Sequence, residues 1–373
     1  MILHIIGSSL ILSSGAYINS YINFVNKNFF NEEHVFVALY EVPAGSSYSK
    51  TASDIKSVIH EFPISFRPMG FIKSYGKLVA LRKLAKKADR IIVHSLSSSR
   101  VVYWLALDKH LLRKTVWILW GGDLYYYWLK ENHTLKERTD HWIRSFVIKN
   151  LKGIAALVEG DYQFARDRYK TKAEYYYVYY LNPVNFALLD SVYIGHKNDH
   201  RDLRLLLGNS ATQTNNHLNI LQALSRIQNL SFQILCPLSY GDPEYAKKVI
   251  EFGRKLFGDR FIPLTQFLSP EEYAKVLASV DVGIFNHNRQ QGLGNILALL
   301  YLGKKVYIRD DVTPWKFFER YGIKVYNTKE LISNPDSSIF DFDESIGRKN
   351  REIVAREFSE ERAVELWKKV FYE

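Results

Sequence analysis

Six consecutive residues in the second half of the chain, Arg289-Gln290-Gln291-Gly292-Leu293-Gly294, combine the residue types that can hold a phosphate. Arg289 carries a permanent planar charge whose paired donors match phosphate oxygens. Gly292 and Gly294 stand where an apolar run, Ile296 to Leu302, reads as a helix, so free N–H groups and the positive helix end can face an anion. The preceding Asp281 to Phe285 reads as a buried parallel strand. That order outlines a diphosphate site, with Gln290 and Gln291 available to phosphate or sugar hydroxyls. The same residues also suit an ordinary strand-to-helix turn in which one Gln caps the helix.

Further turns carry polar chemistry at the ends of apolar runs. Trp120-Gly121-Gly122-Asp123-Leu124-Tyr125 ends a strand with two glycines and then presents Asp123. A carboxylate there can take a proton from a hydroxyl or bind sugar hydroxyls; it equally suits the N-cap of a helix starting at Leu124. His94 closes the run Arg90 to His94 and is a candidate for either an active-site or a structural histidine. Gly208-Asn209-Ser210 ends a strand over Leu203 to Leu207, and Thr212, Thr214 and Asn215 keep the next loop polar before a helix that starts near His217. That loop suits phosphate oxygens. Pro237-Leu238-Ser239-Tyr240-Gly241 makes a turn whose Ser239 and Tyr240 suit a nucleobase or sugar, or simply a turn.

The elements that must position these residues alternate as βα repeats. Strands are expected at Leu3 to Ile6, Val35 to Leu39, Arg90 to His94, Thr115 to Trp120 and Ile154 to Val158. A second series follows at Leu203 to Leu207, Phe232 to Leu235, Val282 to Phe285 and Lys305 to Ile308, with helical patterns between. At 373 residues the chain exceeds what one core usually supports. The expectation is therefore two doubly wound parallel-sheet domains facing a cleft, residues 1–185 and 186–350, with the boundary between Asn182-Pro183 and the polar stretch Gly195 to Arg201. Residues 351–373 form a C-terminal helix that can pack back across the junction through Phe358, Leu366, Trp367 and Val370.

Composition narrows the functional classes. One cysteine, Cys236, excludes an internal disulfide and a Cys-rich zinc site. No strong metal signature is present, so the expectation is no metal and no cofactor. Met1 to Leu12 is apolar but interrupted by Ser8 and Ser9 and too short to span a bilayer. A net charge of +11 with 25 Tyr, 22 Phe and 7 Trp suits sugar stacking, a headgroup layer or single-stranded nucleic acid. Clustered glycine turns at strand ends speak against nucleic acid. Lys73, Lys77, Arg82, Lys83, Lys86, Lys87 and Arg90 mark a basic amphipathic helix that suits either solvent or an anionic leaflet.

Four of these motifs occur in a familiar order: Trp120 to Tyr125, Gly208 to Ser210, Pro237 to Gly241 and Arg289 to Gly294. In that order the chain resembles the TDP-4-acetamido-4,6-dideoxygalactose (Fuc4NAc) transferases of glycosyltransferase family 56. The resemblance runs from His4 to about Thr328. It implies the GT-B fold and a TDP-sugar or related donor held by Gly208, Asn209, Ser210, His217, Ser239, Tyr240, Arg289, Gln290, Gln291, Gly292 and Gly294. It also implies Asp123 and His94 as catalytic candidates, and a polyprenyl-diphosphate-linked saccharide acceptor at the inner face of the cell membrane. Other GT-B transferases using UDP- or GDP-sugars, and a silent sugar-nucleotide binder, share the same outline.

Overall fold

A computed structural model describes residues 1–7, 15–40, 59–63, 68–182, 184–193, 203–228, 230–337 and 341–373. Ser8 and Ser9, the Lys73 side chain and the stretch Gly195 to Arg201 lie outside the described residues. The chain divides into two compact units, Met1–Leu181 with Glu360–Glu373, and Asn182–Ser359.

In the first unit the described strands are β1 (Ile2–Gly7), β2 (His34–Tyr40), β3 (Ile59–Pro63), β4 (Arg90–His94), β5 (Thr115–Ile118), β6 (Gly153–Ala156) and β7 (Glu174–Tyr177). They form a parallel sheet in the order β3-β2-β1-β4-β5-β6-β7. β1, β4, β5 and β6 are buried along their whole length, as sheets covered on both faces require. The chain leaves β1 in one direction for β2 and returns past it for β4. The crevice at the carboxyl ends of β1 and β4 is therefore a topological switch point, where open α/β sheets bind ligands.

The second unit repeats this plan with β8 (Leu203–Leu207), β9 (Phe232–Pro237), β10 (Phe261–Leu264), β11 (Val282–Phe285), β12 (Lys305–Ile308) and β13 (Tyr326–Asn327). Its order is β10-β9-β8-β11-β12-β13, all parallel. The switch point falls between β8 and β11, whose ends lead into Gly208-Asn209-Ser210 and Asn286 to Gln291.

The unit boundary falls at 181/182 rather than at 185/186, because residues from 182 onward pack on the second core. Asn182 Nδ2 donates to the Gly294 carbonyl at 2.8 Å, and Phe186 stacks on Tyr301 at 3.9 Å. Asp190 pairs with Arg351 of the helix Glu344–Glu357. That helix stays with the second unit, and so does Phe358, which lies 6.1 Å from the Phe317 ring. Only the helix Glu360–Tyr372 returns to the first unit. It buries Leu366, Trp367 and Val370, and Trp367 Nε1 donates to the Tyr179 carbonyl at 3.0 Å.

The basic helix is Pro68–Lys87, with Leu78, Leu81 and Ala85 buried and Lys77, Arg82, Lys83, Lys86 and Lys87 exposed. Arg90 leaves this basic face, being buried in β4 with a bond to Tyr176 Oη.

The helix Leu293–Tyr301 is held from behind by close backbone contact. A Cβ on Gly347 would lie 2.4 Å from the Gly303 carbonyl oxygen, just past the end of that helix. Replacing Gly347 by Ala should therefore destabilise the fold by about 1–3 kcal/mol, since backbone cannot yield as a side-chain tip does. A denaturant midpoint unchanged from wild type would refute the contact.

Candidate functional site

At the second switch point, three loops are stitched into one buried polar knot. β8 ends in Gly208, whose φ of 70° and closeness to His217 and Asn215 leave no room for a side chain. Ala211 N donates to the Tyr240 carbonyl at 2.7 Å, tying the β8 loop to the β9 turn. The β11 loop is tied in by Gln291. Its Nε2 donates to Asn209 Oδ1 (3.0 Å), Ser210 Oγ (3.1 Å) and Thr212 Oγ1 (3.0 Å), and its Oε1 accepts from Thr214 Oγ1 at 2.6 Å. Asn215 Nδ2 adds bonds to Ser210 and Thr212, while its Oδ1 accepts from Asn209 N at 3.0 Å. His287 lies between two acceptors, Asn215 Oδ1 at 2.9 Å and the Gln291 carbonyl at 3.0 Å; burial keeps the ring neutral, so its single N–H donates to one of them.

This knot fixes the start of the helix Leu293–Tyr301. Gly292, with φ 68°, is its N-cap, and a Cβ there would meet His287 at 2.8 Å. The first N–H groups of any helix have no partner within it, and here they include those of Leu293 and Gly294, which follow the half-buried Arg289 in the chain. Arg289 Nη1 donates to the Gln290 carbonyl at 2.8 Å, and its charge acts on both Tyr240 and His287. Tyr240 is 43% exposed, and its hydroxyl accepts from Asn209 Nδ2 at 2.7 Å. Burial raises the Tyr240 pKa, with the Asn209 and Ser210 bonds and the Arg289 charge opposing it. Half-buried Ser239 precedes it in the turn.

The knot sorts the expected donor contacts by what each side chain has left to offer. Arg289 is half-buried and Tyr240 exposed, so both keep surface that a ligand can reach. Gln291, Asn209 and Ser210 are buried and spend their polar atoms on one another. His217 is buried beneath Gly208 rather than at the edge; burial lowers its pKa to about 4, and its Nε2 has no hydrogen-bond partner. The buried Oε1 of Gln290 is also without one. Sequence reasoning missed His287 as the brace of this turn. The signal was a run of polar side chains, Asn286-His287-Asn288, directly after a fully buried strand.

In the first unit Asp123 and His94, the two catalytic candidates, are both buried. Asp123 is 1% exposed, and its carboxylate accepts from Leu96 N (2.9 Å), Trp117 Nε1 (2.8 Å) and Trp120 N (3.0 Å). Nor is it a helix cap, because the helix Gly122–Tyr125 starts from Gly121 at φ 75°. A base must reach the hydroxyl it deprotonates, whereas this carboxylate ties the β4 loop to the β5 loop. Arg144, missed from sequence, completes the clamp by bonding the Leu96 carbonyl and Tyr126 Oη.

His94 is fully buried at the end of a chain of three imidazoles. His34 Nδ1 meets His4 Nε2 at 2.9 Å, His4 Nδ1 meets His94 Nε2 at 3.1 Å, and His94 Nδ1 meets Tyr180 Oη. Each link needs one donor, so the three neutral rings must share one tautomer. Burial lowers His94 to about 3 and His34 to about 4, and holds His4 well below its usual value. Tyr180, half-buried, packs on Trp120 at 4.9 Å. Among the described residues no group of three or more His, Cys, Asp or Glu is placed to hold a metal.

Two parallel doubly wound sheets, each with polar loops at its switch point, make up the GT-B fold. The fold is shared with Anabaena HepE solved with UDP and glucose, at TM-score 0.71 and 12% identity over 99% of this chain and 98% of that one. Sucrose-phosphate synthase from Thermosynechococcus elongatus matches at 0.68 and 13% over 100% and 99%, and the lipopolysaccharide glycosyltransferase WaaG at 0.63 and 10% over 99% and 98%. The family described as 4-alpha-L-fucosyltransferase, glycosyl transferase group 56, matches residues 54–359. The chain belongs to that family and is a sugar-transferring enzyme.

Gln291→Ala should cost about 1–3 kcal/mol, because Asn209, Ser210, Thr212 and Thr214 lose buried partners. A thermal midpoint equal to wild type would count against the knot. Acid should also weaken the first unit. Its three chained histidines bind protons more readily when unfolded, so their contribution is complete above about pH 6.5 and declines as pH falls toward their folded values. His4→Gln should flatten the drop in melting temperature between about pH 7 and pH 5; an unaltered slope would remove the chain from the explanation.

Proposed function

We propose that the enzyme moves an N-acetylated dideoxyhexose of the Fuc4NAc type from a TDP-sugar to a polyprenyl-diphosphate-linked saccharide during bacterial surface polysaccharide synthesis. The observation that carries the reading is the Gly292-started helix at the β8/β11 switch point, with Arg289 in the loop that leads into it and Tyr240 bonded to Asn209 of the β8 loop. Family membership supports the chemistry. In the transfer, an acceptor hydroxyl oxygen bonds the anomeric carbon as the bond from that carbon to the diphosphate oxygen breaks. The nucleoside diphosphate leaves with the electron pair, and the hydroxyl proton passes to solvent or a base. Negative charge grows on the leaving group, so Arg289 and the helix N–H groups stabilise the transition state more than the bound donor. Ser239 and Tyr240 would contact base or sugar, and Gln290 the sugar or phosphate. Gly208, Asn209, Ser210, His217 and Gln291 act by holding this edge in shape, while Gly294 offers its N–H alongside Leu293.

The first unit is assigned the acceptor, with Asp123 and His94 as positioning residues. No cofactor or metal enters this scheme. The acceptor being lipid-linked, the enzyme works at the inner face of the cell membrane; among the described residues no helix is long and apolar enough to cross it.

Thermal shift with TDP-, UDP- and GDP-sugars tests the donor site. At a concentration about a hundred times Kd, the preferred donor should stabilise wild type by about 2.7 kcal/mol, and Arg289→Ala should lose most of that gain. Equal stabilisation of the two proteins would sink the phosphate assignment, while preference for UDP or GDP would move the donor identity alone. Asp123→Asn should lower both stability and kcat without moving the pH profile; a shifted acidic limb would restore it as a base.

A further inference from the structure

Helix Leu135–Asn150 is apolar on two faces. Inward, Val147 and Ile148 join the core cluster of the first sheet, together with Leu78, Leu81 and Ala85 of helix Pro68–Lys87 and Val101, Val102 and Leu105 of helix Ser99–Ala106. The three helices therefore cover the same sheet face as one layer. Outward, Leu135 is 82% exposed, Trp142 72% and Phe146 38%. They follow one another at helical spacing, interleaved with exposed Arg138, Thr139 and Lys149. One apolar stripe suffices to seat a helix, so the second wants a partner of its own.

Charge says which partner. The acids of this helix are occupied: Glu137 pairs with Lys130 and accepts from Thr134, and Asp140 accepts from Tyr103 Oη. The surface left facing outward is basic around its aromatics, and the same layer carries exposed Lys83, Lys86 and Lys87. A second copy docked on this face would set Arg138 and Lys149 against their own kind. An anionic bilayer offers both what the cations and what the aromatic rings require, since Trp and Phe settle at the headgroup boundary with Lys and Arg reaching to phosphate.

We propose that the face Leu135, Arg138, Trp142, Phe146 and Lys149 inserts into the headgroup layer of an anionic membrane, with Lys83, Lys86 and Lys87 as its electrostatic support. This deepens, and rests on, the reading of a lipid-linked acceptor. It also moves the anchor from the basic helix to the aromatic one, leaving the basic helix to raise affinity.

Co-sedimentation of the full chain with phosphatidylcholine vesicles, with and without phosphatidylglycerol, tests it. Wild type should partition onto the anionic vesicles only. Trp142→Ser should lower that partition by roughly tenfold, and each of Lys83→Gln, Lys86→Gln and Lys87→Gln by roughly fivefold. Quenching by bromine-labelled lipid should be lost in Trp142→Phe, a change too mild to unfold an exposed site. Equal partition of Trp142→Ser, equal quenching of Trp142→Phe, or a wild-type dimer that Trp142→Ser dissolves in sedimentation equilibrium would each overturn the assignment. Donor thermal shift should be the same in Trp142→Ser as in wild type. A normal donor response with unchanged vesicle binding thus rejects the membrane face alone, and a lost donor response in Arg289→Ala with normal vesicle binding leaves it standing.

Discussion

A parallel sheet that reverses its order at β8 and β11 sets two carboxyl ends side by side, and the loops leaving them must satisfy each other's polar groups. Gln291 does this with one amide, holding Asn209, Ser210 and Thr212 by its nitrogen and Thr214 by its oxygen. Unpaired polar atoms in that buried place are costly, so losing the Gln291 amide would strand several partners at once. Closure of this knot decides where Gly292 turns, and hence where the helix that follows points its free N–H groups. Arg289 needs no such restraint. It is carried to the rim by a loop already fixed on both sides.

The first unit solves the same problem with charge. Asp123 takes three N–H donors, and Arg144 grips the other side of the Leu96 peptide, so the ends of β4 and β5 are locked by an acid and a base that work through one backbone unit. Behind them the imidazoles of His34, His4 and His94 run across three adjacent strands beneath the C-terminal helix, whose Phe371 lies 4.9 Å from the His34 ring. Asp123 and His94, candidates by residue type, are thus buried and hydrogen-bonded within the first unit.

Strands in the middle of each sheet were legible from the chain alone. Arg90–His94, Leu203–Leu207, Val282–Phe285 and Lys305–Ile308 fall where their apolar runs place them, because burial on both faces demands continuous hydrophobic sequence. β3, β7, β10 and β13 escaped notice, and all four are edge strands. An edge is covered less completely, so Glu174-Tyr175-Tyr176-Tyr177 or Tyr326-Asn327 carries no comparable run. The helix Phe186–Tyr193 was likewise passed over, and with it the hydrogen bonds that assign residues from 182 onward to the second unit.

The linear chain by itself determined the βα grammar, the two sheets, the glycine turns at strand ends and the motif order that points to a sugar-nucleotide enzyme. Those follow from periodicity and from residues whose backbone freedom or permanent charge is intrinsic. Only tertiary structure decided which polar side chains bond one another and which keep exposed surface. Asp123, His94 and Gln291 have the chemistry of a site in any sequence, but burial and partner geometry depend on residues such as Leu96, His4 and Asn209, far away along the chain, and folding alone brings those within hydrogen-bonding distance.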